Sequence, residues 1–339
     1  QFHGAASTGR WAGRRVQGQN FPRYPKGFGV EDADYVHWCM KRNGAAAADL
    51  LRLQYGLPLD ALSWSLRSFI KAAPGSRLMA ADLSNIEGRA AAWLAGEDWK
   101  LQAFRDYDDG IGPDLYVLAY AKSFGIDPTN VDDDARQIGK VQELSMQFQG
   151  GLGAFRSAAV NYGIIVVADR SMAPPNAKQV LTEAEAEQIK EGWRASHPRI
   201  VNMWYALERG AKAAVESPGA IQHVGPIKYV CNGGFLFCRL PSGRCITYAH
   251  PKVEWVSDPR FGRKHCLTYW GTKSGKKYGG SNKWTRIEGY AGMFFENIVQ
   301  ATARDVLARP GAAAASADHH RRERVVSGGR LGRHRTAGD

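Results

Sequence analysis

The chain has 339 residues, 44% of them hydrophobic and 23% charged, enough for a large core and for more than one subdomain. Its 45 Lys and Arg outnumber 33 Asp and Glu, and the formal charge of +12 favours a polyanionic partner, nucleic acid ahead of a membrane surface. No apolar run is long enough to cross a bilayer, and no charged-then-apolar leader opens the chain. It starts at Gln1 directly in motif-like sequence, which reads as a fragment without its upstream part.

Residues 1–29 are basic and glycine-rich. Arginines and amides such as Arg10, Gln19 and Asn20 between glycines suit phosphate and base-edge contacts, and Trp11 and Phe21 argue against a merely solvated tail. Residues 31–73 read as helices, an Ala-rich one through Gly44 to Tyr55 and a second from Leu59 to Ala72. Ala61, Leu62, Leu66, Phe69 and Ile70 form an apolar stripe that predicts core packing. Pro74-Gly75 then turns the chain into a short buried strand, Leu78 to Ala81, which ends on Asp82. The period changes there, because Ile86, Ala90, Trp93 and Leu94 share a helical face. Two readings stand open at this junction. Asp82 can hold a metal ion at the mouth of a cleft, or Ser84 and Glu87 can simply form a capping box.

Asp106 to Pro113 reads as a solvated acidic loop rather than a metal site, and a helix follows from Asp114 to Phe124, bracketed by Pro113 and Gly125. The next helix opens on Asp132-Asp133-Asp134 and closes on Gly150-Gly151. Arg136, Lys140, Leu144 and Phe148 recur at every fourth residue and so share a face. Two cations followed by two apolar groups could grip a triphosphate at one end and stack on a base at the other.

Residues 182–216 predict helix, with a Thr182/Glu185 capping box and an interruption at Pro198. Residues 221–271 predict β-hairpins turning at Gly233-Gly234 and Pro241-Ser-Gly243. The five cysteines lack close C-x2-C pairs, which favours reduced thiols over zinc. Gly271 to Lys277 has the wrong spacing for a phosphate loop. A last helix, Ala291 to Ala308, carries Glu296, Asn297, Gln300 and Arg304 along one polar face. The segment 309–339 has no periodicity and predicts disorder; with its seven arginines and three acids set aside, the chain remains basic.

Together these residues resemble a family A DNA polymerase (the DNA polymerase I family), and its phage-encoded branch in particular, through about residues 1–308. Asp82-x-Ser84-x-Ile86-Glu87-x-Arg89 is similar to that family's motif A, and Arg136-x3-Lys140-x7-Phe148 to its motif B. Thr8-Gly9-Arg10, Gln19-Asn20-x-Pro22 and Gln300 match its template and primer contacts.

The resemblance implies an α+β fold of right-hand polymerase architecture, an antiparallel palm sheet with a helical fingers subdomain, and a missing thumb. Residues 1–30 would contact template and primer, 31–104 would be palm with motif A, 105–220 fingers, and 221–308 palm again, before an aberrant tail at 309–339. By the same resemblance Asp82 and the carbonyl of Leu83 would bind two Mg2+ ions, which in such sites activate the primer 3′-hydroxyl and stabilise the leaving pyrophosphate. Arg136 and Lys140 would hold the triphosphate, with Lys140 beside Asp82 in the catalytic set. Glu87 would clash with a ribose 2′-hydroxyl, Leu144 would flank the nucleotide and Phe148 would stack near the template base. Thr8, Arg10, Gln19, Asn20, Arg89 and Gln300 would contact the DNA. The implied partners are a DNA primer–template and deoxynucleoside triphosphates, with no membrane, in the cytoplasm of a host. The sequence departs from the family in three places. Leu144 stands where many cellular members have Phe or Tyr, and Phe148 replaces the usual Tyr. No His-Asp-Glu of motif C follows Ala308, where Asp318-His319-His320 has the wrong order. That departure predicts an impaired polymerase from a frameshifted or misassembled gene, or a non-catalytic remnant that binds primer–template and nucleotide.

Overall fold

The computed structural model describes residues 7–11, 13, 17–42, 46–76, 82–175, 177–258, 262–273 and 283–308. The strand expected at Leu78 to Ala81, most of Gly271 to Lys277, and the segment 309–339 lie outside the described residues. The chain divides into two compact units, one spanning Trp11–Ser84 and the other built from Ala6–Arg10 and Asn85–Ala308.

The first unit contains α1 (Val30–Arg42), α2 (Ala47–Tyr55) and α3 (Pro58–Ser65). Gly56 ends α2 at φ 78°, and Pro58 opens α3 at its first position, where no amide is needed. The core gathers on Phe28, whose ring meets those of Tyr24, Tyr55 and Trp64 at 5.3–5.5 Å. Here the expectation of a helix to Ala72 fails. After Ser65 the backbone tightens into a 3-10 turn, Leu66–Phe69, and then extends. The Ser65 and Ser68 hydroxyls donate to the carbonyls of Leu62 and Ser65, and such local bonds compete with a regular helix. The apolar stripe therefore leaves the core past Leu62, and Phe69 and Ile70 are more than half exposed.

The second unit opens with α4 (Ile86–Ala95). The Ser84/Glu87 capping box does not form there. Asn85 caps the helix in a left-handed conformation, φ 50°, without a side-chain cap bond, and its Oδ1 lies 2.5 Å from where a Cβ on residue 88 would stand. A Cβ at 88 would displace that side chain. The first half of the stretch expected as a loop is helix: α5 (Asp98–Asp109) runs through Asp106 to Asp109, and only from Gly110, at φ 76°, does the chain turn. Asp108 takes both guanidinium nitrogens of Arg89, and Asp106 accepts from Gln102.

Next come α6 (Leu115–Phe124), α7 (Asp133–Met146), α8 (Leu152–Val160), a parallel strand pair β1 (Ile164–Val167) and β2 (Gln179–Thr182), α9 (Glu183–Ser196) and α10 (Pro198–Glu216). Thr182 and Glu185 form the expected capping box, and Pro198 opens α10. Six strands then run as a sequential antiparallel sheet: β3 (Gln222–Val224), β4 (Ile227–Asn232), β5 (Phe235–Arg239), β6 (Cys245–Asp258), β7 (Gly262–Lys273) and β8 (Lys283–Glu288). The last helix is α11 (Ala291–Leu307). The fold is thus α+β with an antiparallel sheet, as the sequence implied.

The sheet's period-2 pattern sends Ile227, Tyr229, Leu236, Cys238, Ile246, Tyr248 and Leu267 into the main core, with α10 and α11. The Tyr248 ring meets Phe294 edge-on at 5.5 Å. All five cysteines are free, and no cluster of His, Cys, Asp or Glu fit for a metal occurs among the described residues.

Candidate functional site

Helix α7 is built to show one side. Asp132 caps it by accepting from the Ala135 amide at 2.8 Å, and Asp133 and Asp134 face the positive end of its dipole. Ile138, Gly139, Val141, Gln142, Glu143 and Met146 are buried. Gly139 lies so close to the Tyr116 carbonyl of α6 that any Cβ there would overlap it. Arg136, Lys140 and Leu144 are left on the accessible side, with Leu144 51% exposed. Arg136 Nε bonds Asp114 Oδ2 at 2.5 Å, and its guanidinium lies 5.5 Å from the Tyr116 ring. Asp114 is itself fixed, because its other oxygen accepts from the Tyr116 and Val117 amides at the start of α6. Lys140 Nζ stands 4.8 Å over the Tyr162 ring.

The row ends sooner than its spacing predicts. Helix α7 stops at Met146, and Gln149 adopts φ 63°; Gly150 passes so close to the Ser145 carbonyl that a side chain is excluded. Phe148 therefore lies beyond the helix, half-buried, 6.1 Å from the Phe295 ring.

The buried side of α7 holds a polar network that the sequence reading missed. Lys100 Nζ donates to Glu143 Oε2 at 2.5 Å, Trp193 Nε1 donates to Glu143 Oε1 at 2.7 Å, and His197 Nε2 lies 3.3 Å from Lys100 Nζ. Lys100 and His197 are fully buried, and Glu143 is 4% exposed. Burial, and then the Lys100 charge, hold the His197 imidazole well below its ordinary pKa, so it is neutral. The network joins α5, α7 and α9 and sets the rotation of α7. A glutamate on the apolar stripe of α7, one residue before Leu144, was the available signal.

A second cluster surrounds the start of the unit. Arg244 donates to the carbonyls of Thr8 and Ala301 and to Asp305; Arg304 donates to the Gly9 carbonyl at 3.1 Å. Thr8 is buried at 4% exposure. Arg10 then pairs with Glu87 at 3.3 Å. Gln300 Nε2 donates to Glu296 Oε1 at 3.0 Å. Burial, and then the Glu87 carboxylate, raise the Glu296 pKa, with Arg10 and Gln300 partly offsetting them. A carboxylate with a raised folded-state pKa binds protons better folded than unfolded, so its contribution to stability is lost as pH rises above the ordinary carboxylate range. Glu296→Gln should thus gain stability over the parent between about pH 4 and pH 7, read from urea midpoints; a constant difference across that range would refute it.

Arg89 is engaged by Asp108 and stacks 4.5 Å over the Phe104 ring. In the first unit Asn20 Nδ2 donates to Gln17 Oε1 at 2.7 Å, while the side chain of Gln19 lies outside the description. Asp82 and Leu83 are exposed there. A carboxylate and a carbonyl are the oxygen donors that magnesium takes. One carboxylate does not make a two-ion site, and no group of three or more His, Cys, Asp or Glu fit for a metal occurs among the described residues.

No family model matches the chain. A DNA polymerase of Bacillus phage SP02 is 37% identical over 313 residues, covering 91% of this chain and 42% of that protein. DNA polymerase I of Chloroflexus aurantiacus is 34% identical over 89 residues, 26% of this chain and 9% of that protein. The chain is related to the DNA polymerases, and it spans less than half the length of either relative. Both matches are thus to DNA polymerases, one from a phage and the other a bacterial DNA polymerase I.

Proposed function

We propose that the chain is the palm-and-fingers part of a DNA-directed DNA polymerase, binding a deoxynucleoside triphosphate and a primer–template and serving DNA replication in a host's cytoplasm. The observation that carries this reading is α7: Arg136, Lys140 and Leu144 in one accessible row on a helix whose other side is locked into the core. Arg136 and Lys140 neutralise the triphosphate and the charge that grows on it as the phosphoryl bond breaks. Arg136 must leave Asp114 to do so. Leu144 gives the nucleotide an apolar wall, and Glu87, held by Arg10, restricts the sugar to one without a 2′-hydroxyl. Asp82 and the Leu83 carbonyl would hold magnesium, which when bound activates the primer 3′-hydroxyl.

Within these 339 residues no His-Asp-Glu follows α11. That favours the second reading for the chain by itself, a binder of primer–template and nucleotide with weak or no catalysis. The test is primer extension with magnesium and all four deoxynucleotides, beside Asp82→Ala and a primer–template binding assay. Binding with little extension is expected. Extension abolished in Asp82→Ala would mean that another carboxylate completes the site and that the remnant reading is wrong. Absence of primer–template binding would overturn the proposal itself.

A further inference from the structure

The six-stranded sheet buries one face, and the other shows four aromatic rings and unpaired cations to solvent. Residues opposite each other across antiparallel strands share a face. Phe235, Ala249, Trp270 and Arg286 stand opposite one another in a row across β5 to β8. Phe237 lies on that face two residues along, its ring 6.1 Å from Phe235, and Trp284 lies opposite Thr272. Phe235, Trp270 and Trp284 are 39%, 38% and 62% exposed. None belongs to the α7 site or to the cluster around Arg10.

The charge on this face is positive. Its carboxylates, Glu254 and Glu288, are taken by Arg286 and Lys264. Lys228 and Arg239 have no carboxylate partner among the described residues, while Lys252 shares the field of Glu254 with Arg286. Lys228 and Arg239 are directly opposite each other, a repulsive cross-strand pair that a polyanion would relieve.

We infer that this open sheet face binds single-stranded DNA. Exposed rings on a flat sheet take unpaired bases by stacking, while Lys228, Arg239 and Lys252 take the phosphates. A duplex hides its base faces and would meet only the cations. The inference rests on the polymerase reading only in choosing DNA as the strand.

The test uses the full chain and a fluorescein-labelled oligothymidylate, read by anisotropy. Trp270→Ala with Trp284→Ala should weaken binding about tenfold or more. Lys228→Glu with Arg239→Glu should weaken it too and flatten its salt dependence. Both variants are first checked by thermal melt; if the tryptophan variant is misfolded, the charge variant and quenching of parental tryptophan fluorescence by the oligonucleotide decide. Parental affinity in the folded variants, or equal losses on a blunt duplex, would overturn the inference. Primer extension and duplex primer–template binding are not the readout, so a parent that fails to bind primer–template but shows these losses leaves this site standing while the polymerase reading fails.

Discussion

Lys100→Met should lower the stability of the second unit by about 3–5 kcal/mol, because it strands the Glu143 carboxylate in the core. Lys100 is fully buried, and its ammonium is the cation bonded to Glu143, itself 4% exposed. With Lys100 gone, the Trp193 indole remains as a donor to Glu143, but an indole cannot balance a charge. The double variant Lys100→Met, Glu143→Leu removes both charges and should recover most of the loss. It leaves the Trp193 N–H without its acceptor, so a deficit of about 1–3 kcal/mol is expected to remain. Urea denaturation of the parent, the single and the double variant, followed by circular dichroism, measures all three. Equal destabilisation in single and double variants would mean that packing rather than charge carries the effect. The network also gives the unit an acid limit. The unfolded His197 takes a proton near its ordinary pKa of 6.5 while the folded one resists, so stability present above that value is lost as pH falls below it.

Lys140→Ala should weaken deoxynucleoside triphosphate binding about 10–100-fold, the loss of a hydrogen bond to a charged group worth roughly 1.5–3 kcal/mol. Lys140 is half-buried over Tyr162, so its stem is already placed and little side-chain freedom remains to be lost on binding. The Arg136 guanidinium is held by Asp114 at 2.5 Å. Part of what Arg136 gains from phosphate it first gives up from Asp114, so Arg136→Ala should weaken binding by less than the full worth of a charged hydrogen bond. Asp114→Asn keeps a side-chain oxygen for the α6 cap but removes the competing charge, and it should tighten nucleotide binding a few-fold. Titration with a fluorescent deoxynucleotide analogue orders the three variants. Unchanged binding in Lys140→Ala, or weaker binding in Asp114→Asn, would contradict the assignment of this helix face.

The sequence was most readable where a local rule decided the structure. Thr182 and Glu185 satisfy the first turn of α9 with their own side chains, and nothing distant competes. The sheet was readable because its apolar residues alternate along each strand between glycine turns. The α7 face was readable as far as Leu144 and failed at Phe148, because the chain turns at Gln149 and Gly150 to approach its own Ser145 carbonyl. Asp106 to Asp109 were misread for a related reason. Composition suggested a loop, but Arg89 on α4 supplies the partner that lets Asp108 end a helix. The Lys100–Glu143–His197 network was out of reach, since its members are 43 and 97 residues apart and only folding brings them together.

The pairing of Arg10 with Glu87 bears on how the chain is put together. Residues 7–10 are fastened to α11 and to the turn between β5 and β6 by Arg304 and Arg244, and at Arg10 they reach the helix that begins just after Asn85. The backbone thus departs from the larger unit and rejoins it at neighbouring points. In topological terms the 11–84 segment is a guest in a host whose own ends are already tied together. Closing a longer loop between fixed points costs only about 0.6 kcal/mol for each doubling of its length. The guest's length can therefore change at small entropic cost while the host keeps α7, its buried ion network and its sheet.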